Sequence, residues 1–563
     1  MTATAPLTLP QGKRSIGAWI LSLLPSRSDY RDLRRTWRGD VLAGLTVGIV
    51  ALPLALGFGV SSGLSAEAGL ITAIVAGVIA AVFGGSNVQV SGPTGAMVVV
   101  LVPIVASHGV GAVAAVTVLA GVIVLVAGIL RLGRAVSFIP WPVIEGFTLG
   151  IAVIIFAQQI PALVSPHTAG ASEHSSNAIV AAVQSFAGLD AGYLVWALAA
   201  VAIVALCMWG APRIHRAIPG SLVGIVVVTL LSLVVPSGLA RIGALPAQLP
   251  SPALPTLDPA MLGSLLAPAV TVAALAAIES LLSARVAATL ADTGPYDPDR
   301  ELVGQGLASI GSSLFGGMPA TGAIARSAVN VRSGARTRLA AIIHALVLLG
   351  VVLIAAGPVG QIPLAALSGV LMVTAVRMVH PATVRAIVRS TRADAIAFVA
   401  TAIVTVSVDL IVAVIIGVVF ASVIALRGMS RASVVRREQV TGNVQPGDER
   451  IAIVRFEGPL FFAAADRVFA EVDGLRDVSV VILRMSQLEL VDATGARMIG
   501  DIVQALERRG ITVLIKGVQP RHEDLFRTVG ALGALRHHNH LFSELPPAIE
   551  HARSHVRRES TTA

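Results

Sequence analysis

Gly84-Gly85-Ser86-Asn87-Val88-Gln89-Val90-Ser91-Gly92-Pro93-Thr94-Gly95-Ala96 interrupts one apolar stretch, and Gly316-Gly317-Met318-Pro319-Ala320-Thr321-Gly322-Ala323 interrupts another in the second half of the chain. Gly/Pro breaks at matching places in two halves of a membrane protein mark broken helices, whose freed backbone groups are tolerated only where they line a cavity. Taken singly, Gly, Ala and Thr are also the small residues that let membrane helices pack closely. Two copies with the same Gly-Gly lead-in favour a substrate site over simple packing.

The composition sets the membrane context. Of 563 residues, 55% are hydrophobic and 13% charged, more apolar surface than a soluble chain can hide. Apolar runs near the ~20 residues needed to cross a bilayer recur from Val41 to Leu426, room for roughly twelve to fourteen crossings. The formal charge of +9 does not point to nucleic acid. The arginines sit mainly in the N-terminal stretch, short loops and the tail, as cytoplasmic loops require. A single cysteine, Cys207, excludes an intramolecular disulfide or a cysteine metal cluster. Lys13 and Lys516, the two lysines, lie in no phosphate-binding loop, and nothing resembles a catalytic triad. The reading is a secondary transporter, not an enzyme, with no cofactor.

Residues 1–39 read as a cytoplasmic segment. Lys13 and Arg14 precede an apolar run from Ile16 to Leu24 that is too short to span. Arg27, Arg31, Arg34, Arg35 and Arg38 follow it, so an interfacial helix fits better than a signal peptide. The membrane region, 40–430, begins with helices predicted over Val41–Val60 and Ala66–Phe83. Loops with Arg131 and Arg134, Arg213 and Arg216, Arg332 to Arg338, Arg377 to Arg392, and Arg427 to Arg437 all fall inside if two segments are half-helices. Ser165–Ser176, without Lys or Arg, falls outside. About fourteen segments result, with both termini cytoplasmic in a multi-pass protein of the cell membrane.

Reach fixes the depth of the breaks. Ser86–Ser91, extended at ~3.3 Å per residue, spans about half of a ~30 Å core. A helix from Pro93 to Ser107 covers the rest, with proline in its first turn, and so begins near the midplane. The second copy enters from the opposite side, with Met318–Thr321 extended and a helix over Gly322–Ser333. Two helix N-termini then face one another, each with unpaired N–H groups and a partial positive charge suited to an anion. Opposite entry also implies an inverted repeat of seven plus seven segments, over about 40–235 and 258–427.

Ionisable residues within the membrane refine this site. Arg326, one turn into the second half-helix, supplies a full positive charge or forms a structural ion pair. Glu279 is its obvious partner, and either neutralises it or takes H⁺ or Na⁺ as the coupling ion, with Ser283 one turn along as an oxygen ligand. Glu67, Glu145, Glu301 and Asp409 fall near predicted helix ends, where capping and solvation explain them. His344 reads as a hydrogen-bonded interior histidine.

After a linker over 431–449, residues 450–550 alternate strand and helix: strands Ile451–Phe456, Val478–Leu483 and Thr512–Ile515, helices Ala463–Val472 and Thr494–Arg508. This predicts a small cytoplasmic α/β domain. Asp492-Ala493-Thr494-Gly495 marks a strand-to-helix junction where Asp or Thr caps. Phosphorylation of Thr494 would add negative charge there. His537, His538 and His540 lie in a loop without a helical i, i+4 pair, so no metal is expected. Residues 551–563, with Arg553 to Arg558, read as a solvated basic tail.

These residues together resemble the SulP family of anion transporters. Asp40-Val41-Leu42-Ala43-Gly44-Leu45-Thr46-Val47-Gly48 is similar to the family's first helix, Ser91-Gly92-Pro93-Thr94 to its third, and Asp492-Ala493-Thr494-Gly495 to the signature of its C-terminal STAS domain. Glu301 to Leu307 with Ala323-Ile324-Ala325-Arg326-Ser327-Ala328 resembles bacterial members that carry C4-dicarboxylates. The resemblance implies core and gate domains, an elevator-like motion and a homodimer. It places the anion site at Ser91, Gly92, Pro93, Thr94, Gly95 and Ala96 and at Thr321, Gly322, Ala323 and Arg326, with Glu279 as the coupling acid. Many sulfate-carrying members have Gln after the first-helix proline, whereas Leu54 follows Pro53 here. The STAS signature resembles that of anti-sigma antagonists, whose phosphorylated serine would match Thr494, and so implies a cytoplasmic protein partner. The expected activity is secondary transport of a small anion, a C4-dicarboxylate, sulfate or bicarbonate, coupled to H⁺ or Na⁺. The alternatives are an anion channel and an anion sensor signalling through the STAS domain.

Overall fold

The computed structural model describes residues 16–134, 140–165, 177–214, 219–246, 248–255, 259–291, 293–407, 410–440 and 443–562. Lys13, Arg14, Arg216, Asp409 and nearly all of the 165–176 loop lie outside them. The chain forms two compact units, 1–418 and 419–563.

The first unit is helical. A short helix, Ile16–Ser22, occupies the expected interfacial run. Then follow α1 (Leu33–Ser61), α2 (Ala66–Phe83), the two-residue strand β1 (Ser91–Gly92), α3 (Gly95–His108), α4 (Val110–Ile129), α5 (Trp141–Gln158), α6 (Ala191–Ile214) and α7 (Gly220–Val234). The second half gives α8 (Pro259–Leu290), α9 (Pro298–Leu314), β2 (Thr321–Gly322), α10 (Ile324–Arg332), α11 (Leu339–Gly360), α12 (Leu364–Met378), α13 (Arg392–Ser407) and α14 (Leu410–Ala432), the last continuing past residue 418 into the second unit. Eight spans among the described residues are long and apolar enough to cross a membrane. Large side chains such as Leu206, Trp209, Val234 and Ile354 stand exposed, as lipid-facing groups do when every backbone polar group is satisfied inside a helix.

Lipid is as apolar as leucine, so these helices associate by close packing more than by a hydrophobic drive. The contact of α4 with α9 shows the means: a Cβ on Gly306 would stand 2.6 Å from the Leu125 backbone nitrogen and 2.7 Å from the Gly121 carbonyl. Because α9 is packed on several sides, it tolerates polar residues that lipid would not. Asp299, Glu301, Gln305, Ser309, Ser312 and Ser313 on it are all buried.

Three expectations need correction. α1 begins at Leu33, eight residues before the apolar run, because helical hydrogen bonding does not stop where hydropathy does. α3 begins at Gly95 with Thr94 as its N-cap, so Pro93 lies before the helix instead of in its first turn; the extended β1 pairing holds the chain straight up to that point. Arg338, counted with the cytoplasmic loop, is buried and donates to the Ala81 and Gly84 carbonyls at 3.0 and 2.6 Å, closing the C-terminus of α2.

The second unit is an α/β domain: β3 (Val434–Glu438), β4 (Ile451–Leu460), α15 (Phe462–Asp473), β5 (Val480–Val491), α16 (Ala493–Arg508), β6 (Thr512–Lys516), α17 (Pro520–Thr528), β7 (Leu541–Phe542) and α18 (Leu545–Thr562). The sheet order is β3-β4-β5-β6-β7, with β3 antiparallel and the rest parallel. α15 and α16 cover one face through Val468, Ile499 and Val503. The other face is covered by α18.

That helix overturns the solvated-tail reading of 551–563. Ala548, Ala552 and Val556 are spaced four apart and bury against Ile451, Ile453, Val480, Ile482 and Leu514. Arg553 is buried too, and its guanidinium grips Asp448 with two hydrogen bonds of 2.8 Å. Likewise β3 lies inside the expected 431–449 linker. Its register with β4, Val434 opposite Glu457, could not be read from a stretch as arginine-rich as Val434–Glu438.

Candidate functional site

The two Thr-Gly-Ala copies meet. β1 and β2 pair antiparallel, with Ser91 opposite Gly322 and Gly92 opposite Thr321. The Ala323 N–H extends the pairing to the Val90 carbonyl at 2.8 Å. The two breaks thus satisfy part of one another's backbone, and the helices α3 and α10 leave the pair in sequence after it.

Glycine makes this approach possible. A Cβ on Gly322 would fall into the Gln89 amide, and one on Gly92, at φ +155°, would stand 2.8 Å from Arg326 Nη1 and 3.3 Å from the Ala73 Cα. Neither helix start receives a side-chain cap. Among the described residues their first N–H groups have no side-chain acceptor, and two partial positive charges converge.

The Thr94 hydroxyl does not cap because it is committed elsewhere. Thr94 Oγ1 and Thr321 Oγ1 each donate to Glu279 Oε2 at 2.8 Å, and 3.3 Å separates the two hydroxyls. One residue from each repeat therefore orients a single carboxylate oxygen on α8. Glu279 is partly buried, whereas Thr94, Thr321 and Arg326 are buried.

Arg326 is not in a salt bridge with Glu279. Its Nη2 donates to the Pro93 carbonyl at 2.6 Å, and its Nη1 is buried with no hydrogen-bond partner among the described residues. Of the two readings of Arg326, the direct ion pair with Glu279 is not formed: the guanidinium holds the Pro93 carbonyl, and the Glu279 oxygen facing the repeats accepts from two hydroxyls. A buried guanidinium nitrogen without an acceptor is costly unless a ligand supplies one.

Ser283 is not brought onto Glu279. Its hydroxyl lies 3.4 Å from that of Ser327, which in turn accepts from the Val90 N–H at 2.9 Å. Ser280 takes the neighbouring place, accepting from the Gly322 N–H at 3.1 Å. All other expected anion-site residues, from Ser91 to Ala96 and from Thr321 to Ala323, gather at the two helix starts.

Supports that sequence reasoning assigned elsewhere surround the site. Glu301, expected to be a solvated helix-end acid, is buried on α9, where it accepts from the Gly85 and Ser86 N–H groups at 2.8 and 3.2 Å and from Gln305 Nε2 at 2.8 Å. Gln305 also donates to Ser91 Oγ at 2.7 Å. The pair at i, i+4 in a helix of low hydropathy was the available signal. Glu67 and Glu145 do sit near helix starts, and Glu145 accepts from the Trp141 indole at 3.1 Å. His344 is fully buried, but neither ring nitrogen has a hydrogen-bond partner of good geometry among the described residues, contrary to the satisfied interior histidine expected.

In the α/β domain, Asp492 caps α16 by accepting from the Gly495 N–H at 2.7 Å, and Thr494 is exposed beside it.

The sequence profile of the sulfate permease family matches residues 37–401, and that of the STAS domain matches 444–545. YvdB of Bacillus subtilis (strain 168) is 32% identical over 499 residues, covering 87% of this chain and 93% of that protein. The bicarbonate transporter BicA of Picosynechococcus sp. is 30% identical over 501 residues, covering 84% and 87%. Among solved structures, SLC26A9 superposes with a TM-score of 0.81 over 99% of both chains at 15% identity, a likeness of fold.

Proposed function

The chain belongs to the sulfate permease (SulP) family of anion transporters and ends in a STAS domain, and on that premise we propose that it is a secondary active transporter holding its anion between the starts of α3 and α10. The observation that carries this reading is Arg326 Nη1, buried and without a hydrogen-bond partner among the described residues, beside two helix starts with no side-chain cap. An oxyanion there accepts from the guanidinium and from backbone N–H groups together, charge-assisted hydrogen bonds added to a helix-start anion site.

One guanidinium with one unpartnered nitrogen anchors one anionic group. This favours sulfate or bicarbonate over a C4-dicarboxylate, whose second carboxylate would need another cation. The family's description as sulfate permeases and the bicarbonate transport of the relative BicA agree with that choice.

Glu279 supplies the coupling. An ionised carboxylate near the same site opposes an incoming anion, so entry is favoured when H⁺ or Na⁺ neutralises it. The hydroxyls of Thr94 and Thr321 let both repeats sense that charge. The arginine-bearing loops support a cytoplasmic location for the N-terminal segment and the STAS domain.

The test is uptake into proteoliposomes of sulfate, bicarbonate and succinate under imposed proton or sodium gradients. Uphill, saturable accumulation of sulfate or bicarbonate under one of them supports the proposal. Flux that only follows the membrane potential would make the protein a channel, and no saturable flux would leave the site without a substrate.

A further inference from the structure

We propose that the STAS domain carries a site for a divalent transition-metal ion, zinc or a metal of similar ligand preference, formed by His540, His551 and His555. The three come from two elements of the domain. His551 and His555 stand one turn apart on α18, and His540 ends the short turn His538–His540 that leads into β7.

One ligand nitrogen from each of the three lies within 4.8 Å of the others. His551 Nε2 and His555 Nε2 are already 3.3 Å apart. A tetrahedral zinc with Zn–N bonds of about 2.0–2.1 Å sets its ligand nitrogens about 3.3–3.4 Å apart, so this pair has the spacing of two ligands on one ion. Closing the two edges to His540 requires a movement of about 1.5 Å at most, within reach of side-chain rotation.

A hydrogen-bonded histidine cluster is the competing explanation, and it leaves an atom unexplained. The His551–His555 contact uses one nitrogen of each, while Nδ1 of His540, a residue 2% exposed, has no partner among the described residues. The rings meet edge to face at 5.0 to 5.5 Å, an arrangement that imidazolium cations, protonated on both nitrogens, would oppose by like-charge repulsion. A metal ion needs the neutral rings that such crowding favours. The exposed His537, whose ring centroid is 5.4 Å from that of His540, or water would complete the coordination. An all-imidazole set suits Zn²⁺, Ni²⁺ or Cu²⁺ and disfavours Mg²⁺ or Ca²⁺.

The i, i+4 pair that the loop histidines lack is thus supplied by the helix that had read as a tail. An ion there would fasten α18, which covers one face of the sheet, to the turn before β7.

The full-length protein, purified in detergent and freed of metal with a chelator, is titrated with ZnCl₂ by calorimetry and with CoCl₂ by visible absorption. The expected result is one equivalent bound, with the visible bands of tetrahedral cobalt, and a rise in the melting temperature of the domain on zinc addition. His551→Gln/His555→Gln should lose the bound equivalent and the thermal shift, while His538→Gln, at an exposed neighbour outside the trio, keeps both. If the double variant does not fold, His555→Gln alone takes its place. Absence of a stoichiometric site in the unaltered chain would overturn the assignment, as would a bound equivalent that survives either histidine variant.

Discussion

Gly92→Ala places a methyl group where the structure leaves room only for Arg326. The added Cβ would stand 2.8 Å from Nη1 and 3.3 Å from the Ala73 Cα. The second neighbour is backbone and cannot swing aside, so the guanidinium must move. A residue with a Cβ at φ +155° also costs about 1–3 kcal/mol in backbone strain. Displacing the guanidinium weakens its bond to the Pro93 carbonyl and its contact with an anion, and a charge-assisted hydrogen bond is worth about 1.5–3 kcal/mol. At about 1.4 kcal/mol per factor of ten, the half-saturating anion concentration should rise about 10- to 100-fold. Gly109→Ala is the control. Gly109 has φ +78° with nothing within 4 Å of an added methyl, and it lies between α3 and α4, away from the site. It should lower the melting temperature yet leave half-saturation unchanged. Proteoliposome uptake over a range of anion concentrations gives the half-saturation of both variants, and a Gly92→Ala protein with an unaltered value would refute the placement of the anion beside Arg326.

Three further outcomes are expected. Glu279→Gln should keep anion binding but lose the dependence of uptake on a proton or sodium gradient; unchanged gradient dependence would remove its coupling role. Glu301→Gln sets an amide NH₂ against either the Gly85 and Ser86 N–H groups or Gln305, so one buried donor faces another. A loss of about 1.5–3 kcal/mol in thermal stability follows, together with slower uptake, measured by melting and initial rates. In the STAS domain, hydrogen bonds from Arg553 hold the Asp448 carboxyl below the usual carboxylate range. The unfolded chain takes up that proton more readily, so the contribution is fully present above about pH 4 and is lost as pH falls through the folded value. Asp448→Asn should lower the melting temperature at neutral pH and flatten its fall in acid, as calorimetry of the full-length protein can show.

The broken helices were legible because Gly and Pro carry backbone meaning locally, and Arg326 because an arginine is conspicuous among apolar neighbours. Their mutual arrangement was less so. That Thr94 and Thr321 share one oxygen of Glu279 depends on the antiparallel register of two-residue strands, which no periodicity records. Glu301 and Gln305 were obscured for a different reason: hydropathy assigns a polar helix to water, whereas α9 faces protein on several sides and can bury them. In the STAS domain, arginine content masked the Ala548, Ala552, Val556 stripe that makes α18 a covering helix. The meeting of His540 with His551 and His555 follows from that docking alone.

Equilibrium binding of labelled sulfate and bicarbonate to the purified protein and to Arg326→Gln shows whether Arg326 holds the anion between the two helix starts. Saturable binding of at least one of them is expected, weakened about tenfold or more when the guanidinium is removed. Binding of equal affinity in both proteins would contradict it.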